Sequence, residues 1–127
     1  MFIETWIYML ITDLLIPVIM VGFGKYFSKT APKNINMLFG YRTSMSMKNQ
    51  DTWAFAHHYC GRIWFVGGSF LLAASLLVML SVITSTENVI GAVGSMLCVA
   101  QMIALIVSII LTEKALKKTF DKNGIRR

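Results

Sequence analysis

The chain has 127 residues, of which 56% are hydrophobic and 14% are charged, and its formal net charge is +6. Three long apolar runs account for this composition, which argues against a water-soluble globular protein and for a membrane protein. The excess of Lys and Arg does not require a nucleic acid as partner. Basic residues beside membrane spans set the topology and attract anionic lipid.

The first apolar run, residues 2–23, is long enough to cross a bilayer, which takes about 20 mostly apolar residues. It is not expected to be a cleavable signal peptide, because no Lys or Arg precedes it and Asp13 interrupts it. An aspartate at the centre of a span costs about 2.5–3.5 kcal/mol. Pro17 should leave the backbone carbonyl of Asp13 without its helical partner. Asp13 is then either a site for a proton, ion or ligand, or a protonated or hydrogen-bonded residue that fixes helix packing.

Residues 32–62 form a polar, basic and aromatic connection between the first two runs. The Ala31-Pro32 step disfavours helix, so the first helix should end there. Ser44, Ser46 and Asn49 are candidate N-caps for a helix that leads into the second span. Trp53, His57, Cys60 or Gly61, and Trp64 would share one face of that helix. Trp53 and Trp64 are residues typical of the membrane interface.

The segment 40–49 has the components of an anion site: a guanidinium, hydroxyl groups and amides at a helix start. A lipid phosphate or a carboxylate would be its occupant. In the alternative interpretation, Arg42 pairs with Asp51 or bonds backbone carbonyls and so holds the connection in place. His57 and His58 point to different helix faces, so we predict no metal site. No catalytic motif is visible, and we predict a non-enzymatic protein without a cofactor.

The second and third runs, residues 63–83 and 89–111, are uncharged, and residues 1–127 are predicted to form one all-α membrane domain with three spans. Small residues such as Gly68 and Ser75 should allow close helix packing. Cys60 and Cys98 are interpreted as small apolar residues. Counted along the helices at about 1.5 Å per residue, Gln101 and Ser75 lie near the depth of Asp13. We therefore predict that Asp13 points inward, toward Gln101 first and Ser75 second.

The basic residues predict the orientation. Six of them, against the single acid Asp51, lie between Lys25 and Arg62, and six more follow the third run. The residues before the first run and the link 84–88 contain none. Because Lys and Arg stay on the cytoplasmic side, we predict a multi-pass protein of the cell membrane with the N-terminus outside and the C-terminus in the cytoplasm.

Several short motifs of the connection resemble those of one family of small bacterial membrane proteins. They are Ala31-Pro32-Lys33-Asn34-Ile35-Asn36, Leu38-Phe39-Gly40-Tyr41-Arg42-Thr43, Ser46-Met47-Lys48-Asn49, Asp51-Thr52-Trp53, Phe55-Ala56 and Gly61. The chain resembles the SdpI/YfhL family in these motifs and in its three-span layout. Ala31 stands where the family usually has the first proline of a pair. The resemblance implies these signature positions, without a role for each: Asn36, Gly40, Tyr41, Arg42, Thr43, Ser46, Asn49 and Trp53.

The best-known activity in that family is immunity of a toxin-producing cell to its own secreted, membrane-active peptide. The resemblance therefore implies protection by binding either the toxin peptide or its lipid target. One alternative is a membrane signalling scaffold that recruits a cytoplasmic transcriptional repressor. Another is a small transporter or lipid-handling protein that uses Asp13 and the Arg42 cluster. The expected partners are membrane lipid, a toxin peptide or a repressor, without direct nucleic-acid binding, and oligomerisation stays open.

Overall fold

Three long helices make up most of the part of the chain that the structure describes. The computed structural model describes residues 2–31, 35 and 41–127. Within them, α1 spans Ile3–Lys29, α2 spans Gln50–Ser81 and α3 spans Glu87–Thr119. All three are long and apolar enough to cross a membrane. The all-α, three-helix expectation is confirmed, and α2 and α3 run well beyond the predicted spans at the end that carries the connection.

The two ends of the bundle differ in structure. We call the end with the connection between α1 and α2 the loop end, and the end with the turn between α2 and α3 the link end. The last two residues of the predicted second span, Val82 and Ile83, belong to that turn. At the link end, Trp6 Nε1 donates a 2.6 Å hydrogen bond to the Met79 carbonyl, and Ile90 packs beside them. This cluster fixes the start of α1 against the turn.

The outer surface of the bundle is apolar. Tyr8, Ile11, Phe70, Leu77 and Met96 each expose between 64% and 72% of their surface. A monomeric water-soluble protein rarely carries such extensive apolar patches. A bilayer would cover them, in agreement with three spans.

Helices α1 and α2 pack backbone to backbone near the loop end. A Cβ atom on Gly24 would lie 2.8 Å from the Gly61 carbonyl oxygen, and one on Gly61 would lie 2.8 Å from the Phe27 carbonyl carbon. Further along, a Cβ on Gly68 would lie 2.8 Å from Cβ of Met20. Helix contact through small residues, predicted for Gly68, is thus confirmed.

The C-terminal residues fold back onto the start of α2. Phe120 and Arg126 form a short antiparallel bridge, and Arg126 stacks over the Phe120 ring at 4.8 Å. Phe120 is fully buried with Met45 and Leu116. The basic tail, considered in the sequence only for its charge, is therefore part of the folded loop end.

Candidate functional site

The start of α2 is closed by side-chain hydrogen bonds. Asn49 is the N-cap, and its Oδ1 accepts a 2.9 Å hydrogen bond from the Thr52 amide. In return, the Asn49 amide donates to Thr52 Oγ1 at 3.1 Å. This reciprocal capping box satisfies two amides that a helix start would otherwise leave unpaired. Of the three candidate caps, Asn49 is the one used.

A second reciprocal pair lies just before this cap. Ser46 is fully buried, and its Oγ accepts from the Thr43 amide at 2.9 Å, while Thr43 Oγ1 accepts from the Ser46 amide at 3.2 Å. Thr52 Oγ1 donates to the Ser46 carbonyl at 3.0 Å, which ties the two pairs together. Thr43, Ser46 and Asn49 therefore build the turn and stabilise it through these hydrogen bonds.

His57 connects this turn to α2. Its Nε2 accepts a 2.8 Å hydrogen bond from the Tyr41 backbone amide, and its Nδ1 lies 2.8 Å from the Trp53 carbonyl. An amide can only donate and a carbonyl can only accept, so Nε2 is unprotonated and Nδ1 carries the hydrogen. Both ring nitrogens of this buried histidine are committed to the backbone.

The Tyr41 side chain joins the turn to α3. Its hydroxyl donates a 2.8 Å hydrogen bond to Glu113 Oε1. Burial, together with the acceptor and the negative charge of Glu113, raises the pKa of Tyr41 well above its ordinary value. The hydroxyl therefore stays protonated and remains a donor to the carboxylate. Glu113 was not predicted, although an acid two residues after the third apolar run could have indicated it.

Arg42 lies at the edge of a cleft between α1 and α3. The cleft has a volume of about 460 Å³, with Cys60 and Gly61 of α2 among its lining residues. Its other walls include the apolar side chains of Ile19, Phe23, Trp64 and Ile109 and the polar rim of Arg42 and Thr43. Both Asp51 oxygens accept hydrogen bonds from Arg126, at 2.7 and 3.1 Å. One interpretation of the sequence paired Asp51 with Arg42. In the structure, Asp51 pairs with Arg126.

The two tryptophans of α2 do not have equivalent positions. Trp53 is fully buried, with its ring centroid 4.3 Å from that of His57. Its side chain therefore faces the inside of the loop end and not the lipid, and its depth relative to the membrane interface stays a prediction. Trp64 is half-buried, and its Nε1 donates to Ser108 Oγ at 2.9 Å.

The polar residues of the three helices meet in the bundle interior. Asp13, Ser75 and Gln101 are buried, as expected from their matched depth. Gln101 Nε2 donates to the Asp13 backbone carbonyl at 2.6 Å and to Ser75 Oγ at 2.9 Å. That carbonyl is the one that Pro17 deprives of its helical partner. The inward orientation of Asp13 is thus confirmed.

The expected partner of the Asp13 carboxyl needs a correction. Cys98 Sγ donates to Asp13 Oδ1 at 3.0 Å, whereas Gln101 Nε2 donates to the backbone carbonyl of Asp13. Cys98 therefore acts as a hydrogen-bond donor as well as a small packing residue. The freed carbonyl accepts a hydrogen bond from the Gln101 amide because an unsatisfied backbone acceptor is costly in hydrocarbon.

The two histidines contact different groups. His58 Nδ1 lies 3.1 Å from the Ser28 carbonyl, away from the contacts of His57. Among the described residues, no group of three His, Cys, Asp or Glu side chains could hold a metal ion. The signature positions Asn36 and Gly40 lie outside the part of the chain that the structure describes.

Comparison with known proteins gives a family for this chain. A family model described as the SdpI/YfhL protein family matches residues 33–112. The chain belongs to the SdpI/YfhL family. It is 33% identical over 100 residues to a protein named "Uncharacterized protein YfhL" of Bacillus subtilis (strain 168), covering 75% of this chain and 77% of that one. No solved structure matches the present chain.

The matched stretch of this SdpI/YfhL family member covers only part of the polar groups described above. It includes the capped turn, α2 and most of α3, with Ser75, Cys98 and Gln101. Asp13 lies before it. The interior cluster is therefore completed by a residue outside the family match, on α1.

Proposed function

We propose that this SdpI/YfhL family member protects its cell against a secreted, membrane-active peptide by binding either the peptide or its lipid target. The observation that carries the proposal is the cleft between α1 and α3, which combines apolar walls with a basic and hydroxylated rim. Membership of the family supports the immunity part of the proposal, and the cleft supports the binding part.

The chemistry of the cleft suits a molecule with an apolar body and an anionic or polar end. Ile19, Phe23 and Ile109 are each at least 40% exposed, so the cleft opens sideways toward lipid. Arg42 stands at its rim with the Thr43 hydroxyl nearby. An amphipathic peptide lying in the interface would present apolar side chains to the walls and polar groups to the rim. A phospholipid has the same division between chain and headgroup.

We propose binding rather than catalysis as the activity at this site. His57, which lines the cleft, has both ring nitrogens bonded to the backbone. A general base needs a free nitrogen within hydrogen-bond reach of its substrate. Use of His57 in that role would require the Tyr41 amide to leave it.

The test is survival of cells challenged with a panel of bacterial membrane-active peptides, with and without this protein. Ile109→Trp should fill the cleft and reduce protection. Ile110→Trp adds the same bulk one residue away, on a side chain that is 48% exposed and is not among the cleft residues. It should protect as the parent protein does, at equal membrane abundance.

Two outcomes would contradict the proposal. Equal protection by Ile109→Trp and Ile110→Trp would remove the cleft from the mechanism. If the parent protein changes survival against none of the peptides, immunity itself would be wrong.

A signalling scaffold is the second candidate, and the folded tail favours it. Asn49 Nδ2 donates to the Gly124 carbonyl at 2.7 Å, so the C-terminal residues and the signature turn form one surface. A cytoplasmic repressor could bind to both parts of that surface at once. Retention of a DNA-binding protein on membranes that contain the parent chain, and its loss in Asn49→Ala, would favour this candidate over immunity by the cleft.

A further inference from the structure

The interior cluster contains more hydrogen-bond acceptors than donors. Both amide hydrogens of Gln101 are used, one on the Asp13 carbonyl and one on Ser75 Oγ, and the Cys98 thiol donates to Asp13 Oδ1. Two buried oxygens, Asp13 Oδ2 and Gln101 Oε1, have no partner among the described residues. Both residues are fully buried.

The orientation of the Gln101 amide follows from its contacts. The Asp13 carbonyl can only accept, so the amide nitrogen must face it and Oε1 must remain an acceptor. The Ser75 hydroxyl hydrogen could serve at most one of the two unpartnered oxygens. A buried polar group without a partner destabilises the folded state, and more so when it is charged. At least one further donor is therefore missing from the cluster.

We propose that Asp13 is a proton-binding site within the bilayer, with the proton on Oδ2 donated to Oε1 of Gln101. One proton taken up from water converts the carboxylate to a neutral carboxylic acid and supplies the missing donor. It satisfies both unpartnered oxygens and removes a charge from the apolar interior.

A divalent metal ion fits the cluster less well than a proton. Calcium takes about six to eight oxygen ligands and magnesium requires octahedral coordination, whereas two oxygens are uncommitted here. The backbone of α3 also comes close to the carboxyl, since a Cβ atom on Gly94 would lie 3.0 Å from Asp13 Oδ2. Because packing is tight at that point, a proton is the smallest group that can restore the balance between hydrogen-bond donors and acceptors.

The surroundings of the carboxyl are simple. Helix α3 presents Cys98 and Gly94 to Asp13, α2 contributes Ser75 to the same cluster through Gln101, and the Met9 side chain packs on Gly94 from α1. Within the described residues, Cys98 is the one other titratable group bonded to Asp13. Release of the proton would leave a charge between α1 and α3, so their packing should depend on it. This inference is independent of the cleft and of immunity.

Infrared spectroscopy of the full chain in lipid vesicles at pH 7 tests the site. The expected signal is the carbonyl band of a protonated carboxyl, which shifts in heavy water. Asp13→Asn should remove the band, and Gln101→Leu should move it, because the hydrogen bond to Oε1 is lost. Glu4→Gln is the matched control, since Glu4 is an exposed acid at the start of the same apolar run, and it should leave the band unchanged.

Three results would overturn the proposal. They are the absence of a protonated-carboxyl band, its persistence in Asp13→Asn, and its loss when sodium replaces potassium at constant pH. The last of these would assign the site to a sodium ion.

Thermal unfolding in the same vesicles provides an independent measurement. An asparagine side chain can donate to Oε1 from its Nδ2 and accept from Cys98 with its Oδ1, as the protonated acid does. Asp13→Asn should therefore keep the melting temperature of the parent. Asp13→Leu should lower it by at least about 4 °C. Equal losses in the two variants would show that a neutral donor is not what the cluster requires.

Discussion

At the scale of single residues, Tyr41 joins three parts of the loop end. Its amide donates to His57 on α2, and its hydroxyl donates to Glu113 on α3. Because the tyrosine lies in the connection, these two bonds attach that connection to both helices. These two bonds give Tyr41 a structural role, whether or not a ligand enters the neighbouring cleft.

Tyr41→Phe should reduce the free energy of unfolding by about 1–2 kcal/mol, because Glu113 loses a hydrogen-bond donor in a half-buried position. Tyr26→Phe is the matched control, since Tyr26 is 49% exposed at the end of α1. Chemical denaturation of both variants in detergent checks the difference. Equal stability of the two variants would show that the Tyr41 hydroxyl does not hold the connection to α3.

At the scale of secondary-structure elements, the contact between α1 and α2 depends on glycine. Gly24 and Gly61 face each other where the two backbones are closest. Gly67, on the same helix as Gly61, meets no atom within 4 Å of an added Cβ. Gly61 therefore permits close packing against α1, whereas Gly67 lies away from this contact.

Gly61→Ala should destabilise the protein by about 1–3 kcal/mol, because its methyl group would overlap the backbone of α1. Gly67→Ala should have no such cost and should gain up to about 1 kcal/mol from the higher helix propensity of alanine. Unfolding of the two variants, followed by circular dichroism, measures both signs. A loss in Gly67→Ala as large as that in Gly61→Ala would contradict the assigned helix contact.

At the scale of the whole molecule, the loop end and the C-terminus form one structure. Arg126 pairs with Asp51 and Asn49 bonds Gly124, so whichever face of the membrane holds the signature turn also holds the C-terminus. The charge pattern predicts that this face is cytoplasmic. Three crossings of the membrane would place the two termini on opposite faces.

Reporter fusions test this orientation. A β-galactosidase fused after Arg127 should be active, and an alkaline phosphatase fused there should be inactive, because the first enzyme works in the cytoplasm and the second outside. Fusions within the turn 82–86 should give the reverse pattern. Phosphatase activity at the C-terminus would overturn the predicted orientation while leaving the fold intact.

Local features of this protein could be predicted from the order of its residues alone. The length and apolarity of the runs predict three helices, and the missing amide of Pro17 predicts a free carbonyl at Asp13. Asn49 was among the candidate caps because its side chain can accept from an amide three residues ahead. Each of these properties depends on residues within about one helical turn, so the pattern of neighbours is sufficient.

Contacts between distant residues could be learned only from the three-dimensional fold. It buried Trp53 inside the loop end, gave the Asp13 carboxyl to Cys98 and its carbonyl to Gln101, and folded the basic tail onto Asp51. The contacts of Asp13 and Asp51 join residues that lie 75 to 88 positions apart in the sequence. Helix rotation and inter-axial distance determine them, and both depend on how small residues such as Gly61 and Gly94 let the backbones approach.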